Sequence, residues 1–261
     1  MSEFMGLTKN LMWEKWKLMN WVLGIDIIAI VAILLLRVLT EGFNMALVSS
    51  NSLAMYTVSI VIVNLVSFIM LARSNERILT SNNYRLIPTT ETKLYSGNIL
   101  TTFLAFAYLQ ILETVVGVII YFISSHDAMT INPLNSTGSM PDFGIALQFF
   151  LLMIIGSIMI WSGITVIHLL INWISGFLPF GKQKIVMFVL YFLVTWLALV
   201  IFNFATGNIL KLIYGDGHLL QFTLEKLSNT LWISSGILFV WVVIFTALNI
   251  YFLKRWTETA R

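Results

Sequence analysis

The stretch GFLPFGKQK, residues 176–184, sets Gly176, Gly181 and Lys182 at the spacing G-x-x-x-x-G-K, one residue short of a phosphate-binding loop. In such a loop the backbone N–H groups cradle phosphates, the Lys reaches the terminal phosphate, and a following Ser or Thr ligates magnesium. Position 183 is Gln, a poor magnesium ligand, and no strand-forming segment precedes the glycines. Gly and Pro here end one apolar stretch before the next begins, and Lys182 and Lys184 make the turn basic. The loop is a near-miss, so hydrolysis of ATP by this chain is not expected.

Other catalytic sets fail on the same kind of detail. Ile160-Trp161-Ser162-Gly163 approaches the G-x-S-G of intramembrane serine proteases, but Ile160 stands where the first glycine belongs. His168 follows Ser162 by six residues, about 240° around a helix, where it cannot act as the base of that serine. His126, His168 and His218 are too dispersed to suggest a metal cluster, and no H-E-x-x-H occurs. Cysteine is absent, which removes disulfides, thiolate metal sites and cysteine nucleophiles together. The expectation is a non-enzymatic chain with no catalytic, cofactor or metal residues of its own.

What must position any remaining chemistry is membrane-spanning helix. Of 261 residues, 59% are hydrophobic and 10% charged, and the mean hydropathy is +0.90. A soluble domain would carry about 25% charge. Apolar windows near 20 residues recur, the length a helix needs to cross about 30 Å of hydrocarbon. Six spans are read at roughly 20–40, 53–72, 98–124, 144–174, 185–206 and 229–253, within a single transmembrane domain, 1–261. They read as helices because lipid offers the backbone no hydrogen bonds, and no alternating strands of barrel type appear. The fourth stretch, about 46 Å long as one helix, is expected to tilt, project into water, or bend or end at Gly156, Gly163 or Gly176. The predicted class is all-α, a polytopic membrane protein.

The basic residues orient it. With the N-terminus inside, Lys9, Lys15, Lys17, Arg73, Arg77, Arg85, Lys93, Lys182, Lys184, Lys254, Arg255 and Arg261 are cytosolic, against Arg37, Lys211 and Lys226 outside. That asymmetry is a strong positive-inside signal and places both termini in the cytosol. The net charge of +3 follows from it and implies no nucleic-acid partner. The segment LTKNLMWEKWKLMNW before span one mixes Lys with Trp13, Trp16 and Trp21, as expected of a short interfacial helix or anchor. Leu7, Leu11 and Leu18 share an arc of its wheel. The first apolar stretch is of full spanning length and no small-residue cleavage site follows it, so the reading is an anchor and not a cleaved signal.

Two acids fall within spans. Asp26 lies about 8–9 Å from the inner start of span one, and Glu113 lies near the middle of span three. An ionised acid there costs several kcal/mol unless it is protonated, paired or facing a polar cavity. Each is either a neutral side chain hydrogen-bonded to a neighbouring helix, or a contact for a cationic substrate or proton.

Between spans two and three runs NERILTSNNYRLIPTTETKLYSGNIL, residues 75–100, longer and more polar than a simple turn needs. Tyr84 and Tyr95 flank the apolar patch Leu86-Ile87-Pro88. The segment resembles the corresponding loop of type-2 ABC transporter permeases, the six-helix membrane subunits of bacterial exporters. Their loose pattern has an acid–Arg pair, Gly-Thr, a Leu-rich turn ending in Pro, a small residue, and Gly-Lys opening the next span. This chain offers Glu76-Arg77, Thr80, Leu86, Pro88, Thr89, Glu91 and Gly97. It departs at Leu79, where Gly is usual, and at Asn98, where Lys is usual.

The resemblance implies a division of labour. ATP and magnesium would sit on separate ABC ATPase subunits, two per complex, and a second permease, identical or related, would complete the path. Residues 76–91 would form the coupling helix, with Glu76, Arg77, Tyr84, Arg85, Leu86, Ile87, Pro88, Thr89 and Glu91 as contacts. Lys182 and Lys184 of the 176–184 loop and the N-terminal segment would be auxiliary. The outer stretch GNILKLIYGDGHLLQFTLEKLS is expected to fold as a re-entrant hairpin around Gly215-Asp216-Gly217. Permeases of this kind in Gram-positive systems expel amphipathic or antimicrobial peptides, sometimes for self-immunity, and lipids and hydrophobic drugs suit the same lateral path. The competing expectation is an ion- or proton-coupled secondary transporter using Asp26 and Glu113.

Overall fold

A computed structural model of the chain describes residues 2–41, 45–81, 90–125, 143–177, 184–214 and 224–259. Among these residues all regular structure is helical: α1 (Ser2–Glu41), α2 (Met45–Thr80), α3 (Glu91–Ser125), α4 (Phe143–Phe177), α5 (Lys184–Tyr214) and α6 (Leu224–Thr259). All six are long and apolar enough to cross a membrane. This is an integral, multi-pass membrane protein, in which every spanning N–H and C=O is satisfied within its own helix.

The helices are longer than the apolar windows that announced them. Even the shortest, α5, has 31 residues, about 46 Å against a hydrocarbon core of about 30 Å. Each therefore tilts or carries turns beyond the core. The N-terminal segment, expected as a separate interfacial helix, continues into α1 without a break. Its buried stripe explains why: Leu7, Leu11, Lys15, Met19 and Val22 recur at three- and four-residue spacing on one face. Likewise α4 runs unbroken through Gly156, Gly163 and Gly176. The described parts of the expected outer hairpin, up to Tyr214 and from Leu224, are the end of α5 and the start of α6, and its Gly215-Asp216-Gly217 turn lies outside the described residues.

The chain divides into two compact units, Met1–Gly138 and Ser139–Arg261. In the first, α1, α2 and α3 each pack on the other two. Asn20 accepts from the Tyr108 hydroxyl at 3.0 Å and the Trp16 and Tyr108 rings lie 5.2 Å apart, so α1 and α3 run parallel with α2 antiparallel between their contacts. In the second unit α4 and α6 form the main pair. Gln148 donates to Ser228 at 2.8 Å and Asn249 donates to the Ser162 carbonyl at 2.9 Å, which fixes a parallel register. Helix α5 packs on α4 and also meets α6, where Trp241 donates to Thr206 at 3.1 Å. Phe188, Phe192 and Phe204 on α5 are exposed, an arrangement that hydrocarbon accepts and water would not.

Candidate functional site

The polar residues of the first unit collect at two levels, and the first was not foreseen. Lys15 on α1 is fully buried, at 0% exposure. Its Nζ donates toward Asn75 Oδ1 on α2 at 3.0 Å. On α3 it reaches the Asn98 carbonyl at 2.8 Å, Asn98 Oδ1 at 2.6 Å, Thr101 Oγ1 at 3.1 Å and Thr102 Oγ1 at 2.6 Å. All five partners are neutral oxygens, and an ammonium has three protons to share among them. Thr102 in turn donates to Asn75 Oδ1 at 2.5 Å. One nitrogen thus joins three helices through a closed polar centre.

The centre lies within a few turns of the end of α2 and the start of α3. Ile78 and Leu79 in the last turn of α2, and Leu94 and Tyr95 in the first turns of α3, are all buried. The N–H of Ser81 bonds the Arg77 carbonyl and that of Leu94 bonds the Thr90 carbonyl, each at 3.0 Å. Arg77 pairs with Glu14 of α1 at 3.5 Å, an exposed contact worth at most about 1 kcal/mol. Glu76 lies in the last turns of α2 and Glu91 opens α3. Tyr84, Arg85, Leu86, Ile87, Pro88 and Thr89, which carry most of the predicted coupling helix, lie outside the described residues. So does Lys182, while Lys184 is the exposed first residue of α5.

The second level lies eleven residues further along α1 and α3, about 16 Å from the first. Here both predicted acids are served by α2. Ser59 donates to Asp26 Oδ1. Asn64 donates to Glu113 Oε2 at 2.8 Å, Gln110 donates to Asn64 Oδ1, and the Tyr56 hydroxyl donates to the Glu113 carbonyl at 2.6 Å. Glu113 is 4% exposed, and its Oε1 is buried without a hydrogen-bond partner among the described residues. Asp26 is half-buried and lines an open groove between α1 and α2 of about 760 Å³. Trp21, Ile25, Ile33, Val58, Ile62 and Met70 are among its apolar walls.

Ser162 is buried, with its hydroxyl bonded to the Met159 carbonyl at 2.9 Å. His168 Nδ1 lies 2.7 Å from the Tyr191 hydroxyl, tying α4 to α5 and not to Ser162. Among the described residues no three His, Cys, Asp or Glu side chains converge as metal ligands.

The sequence signal for Lys15 was present but reads two ways. As a charge it counts toward topology. As a position it completes the 7, 11, 15, 19, 22 stripe, and four of its five oxygens come from Asn98, Thr101 and Thr102 on α3. Comparison of the chain with known proteins returns no matching family model, no matching curated protein and no matching solved structure.

Proposed function

We propose that this chain is the membrane subunit of an ATP-driven exporter in a bacterial cell membrane, organised like the type-2 ABC permeases that its 75–100 segment resembles. On this reading two separate ATPase subunits hold ATP and magnesium. A second permease, identical or related, completes the path, and segment 76–91 receives the mechanical stroke on the cytosolic side. Amphipathic or antimicrobial peptides are the favoured cargo, with lipids and hydrophobic drugs suiting the same lateral route.

The observation that carries this reading is the Lys15 centre. It binds α1 to both helices that bracket the coupling segment, through Asn75 on one side and Asn98, Thr101 and Thr102 on the other. A displacement imposed on that segment is therefore delivered to three helices together, and the same helices carry Asp26 and Glu113 about 16 Å further on. The test is assembly: purified together with the products of its neighbouring reading frames, the protein should hold two ABC ATPase subunits and a second permease. A stable monomer that recruits no ATPase would overturn the reading.

One observation favours a second reading, a proton- or ion-coupled secondary transporter. Glu113 Oε1, buried without a partner among the described residues, is a place for a proton or small cation inside a span. Proteoliposomes decide between the two: transport driven by a pH or sodium gradient with no ATP supports the second, and strict dependence on ATP and the partner supports the first.

A further inference from the structure

The α1–α2 groove is apolar over nearly all its wall. Among its lining residues only Asp26 and Ser59 carry a hydrogen-bonding oxygen in the side chain. It extends along α1 from Trp21 to Ile33, about 18 Å, and its volume of about 760 Å³ falls in the range of about 300–1,000 Å³ typical of small-molecule sites. Asp26 sits five residues in from the Trp21 end, about 7–8 Å along the helix. Ser59 occupies Oδ1 and leaves Oδ2 for a further donor.

Among the described residues the carboxylate has no ion-pair partner. On α1 the nearest basic residues are Lys17 and Arg37, nine and eleven residues away, about 13–16 Å along the axis. On α2 the nearest to Ser59 is Arg73, fourteen residues away and about 21 Å along that axis. An acid within a span needs a partner or a proton. A lipid acyl chain would fill the apolar walls and leave the carboxylate unmatched, and a free inorganic cation would match it and leave the walls empty.

We propose that the α1–α2 groove binds a cationic amphiphile, one ammonium or guanidinium group on an apolar body, with Asp26 and Ser59 taking the cation and the aliphatic walls taking the body. That such a molecule is exported rests on the transporter reading above, whereas its binding does not. A cationic end also gives discrimination that apolar walls lack, since a neutral analogue gains the same burial and forfeits the ion pair.

The experiment uses the full chain in phosphatidylcholine nanodiscs and two photoactivatable probes. One is dodecylammonium with a diazirine in its chain, and the other is its neutral N-acetyl analogue. The ammonium probe should label α1 near residues 25–33 and α2 near residues 58–66, saturably and in competition with unlabelled dodecylammonium. Asp26→Asn, which keeps an acceptor for Ser59, should weaken that labelling roughly tenfold or more while leaving the neutral probe unaffected. Ala29→Trp, on the groove wall, should block both. Unsaturable labelling spread over the apolar faces, or Asp26→Asn labelling equal to wild type, would overturn the site. Monodisperse elution of each variant excludes misfolding as the cause. Groove labelling of a protein that recruits no ATPase leaves the site standing and removes the exporter reading, and an assembled complex without groove labelling does the reverse.

Discussion

An ammonium group taken out of water and surrounded by neutral oxygens is stable only if each of its protons is used. Burial of such an ion costs several kcal/mol, and each hydrogen bond to a charged group returns about 1.5–3 kcal/mol. Lys15 has five oxygens within 3.1 Å for three protons, so the two sides nearly balance while the geometry holds. Removing the nitrogen upsets that balance, because the Asn75, Asn98, Thr101 and Thr102 oxygens stay buried. Lys15→Met, which keeps the aliphatic stem, is expected to cost about 1–3 kcal/mol and to lower the thermal unfolding midpoint of the detergent-solubilised protein by several degrees. Lys15→Arg should fall between Met and wild type, since a planar guanidinium cannot focus on five oxygens arranged about one point. A Met variant as stable as wild type would show that the centre clamps nothing. Asp26 and Glu113 were legible in the sequence because acids are rare in apolar spans. Their common dependence on α2 was not, because a linear sequence does not say that Ser59, Asn64 and Tyr56 face them. Asn98 was noticed only as a departure, an Asn where Lys is usual, and in the fold it is a principal acceptor for the lysine of another helix.

At the scale of elements, hydropathy found all six helices, and each helix runs beyond the apolar span that marks it. Windows of about 20 residues detect the part of a helix that hydrocarbon requires, whereas α1 has 40 residues and α2 has 36. The additional turns are held by contacts between helices, such as the buried Leu7 and Leu11 at the start of α1, and packing leaves a weaker trace than composition. The α2–α3 contact shows what such packing demands. A Cβ added at Gly117 would lie 2.5 Å from the Tyr56 hydroxyl oxygen and 2.8 Å from its Cζ. Small residues let helices approach closely in membranes, and here the room is taken by a tyrosine whose hydroxyl serves the Glu113 carbonyl. Gly117→Ala should push that ring aside, lose the hydrogen bond and destabilise by about 1–3 kcal/mol. The same alanine placed in a Tyr56→Ala background should cost little more than Tyr56→Ala alone. Thermal unfolding of the four proteins checks the coupling, and additive losses would mean that the two residues do not share the space.

For the whole molecule the decisive question is whether force enters at the segment between α2 and α3. Closure of two soluble subunits moves membrane helices only through an element that is seated in them and fixed to the helices behind it. For the second, the described residues supply buried ends of α2 and α3 and a Lys15 centre joined to both helices. The first depends on the apolar pair Leu86 and Ile87 before Pro88, each of which would contribute about 1.5–3 kcal/mol if buried in a partner. Replacing both with Asp would place unpaired charge in that seat. On the exporter reading, the double variant should reach the membrane and elute as wild type does, but fail to hold an ABC ATPase or to couple hydrolysis to transport. Asp at Lys182 and Gln183, in the shorter loop between α4 and α5, should do less if that loop is auxiliary. Membrane fractionation, co-purification and substrate-stimulated ATP hydrolysis measure the three consequences separately. A Leu86→Asp/Ile87→Asp protein that exports normally would remove the mechanical seat, and with it the main sequence support for an ATP-driven permease.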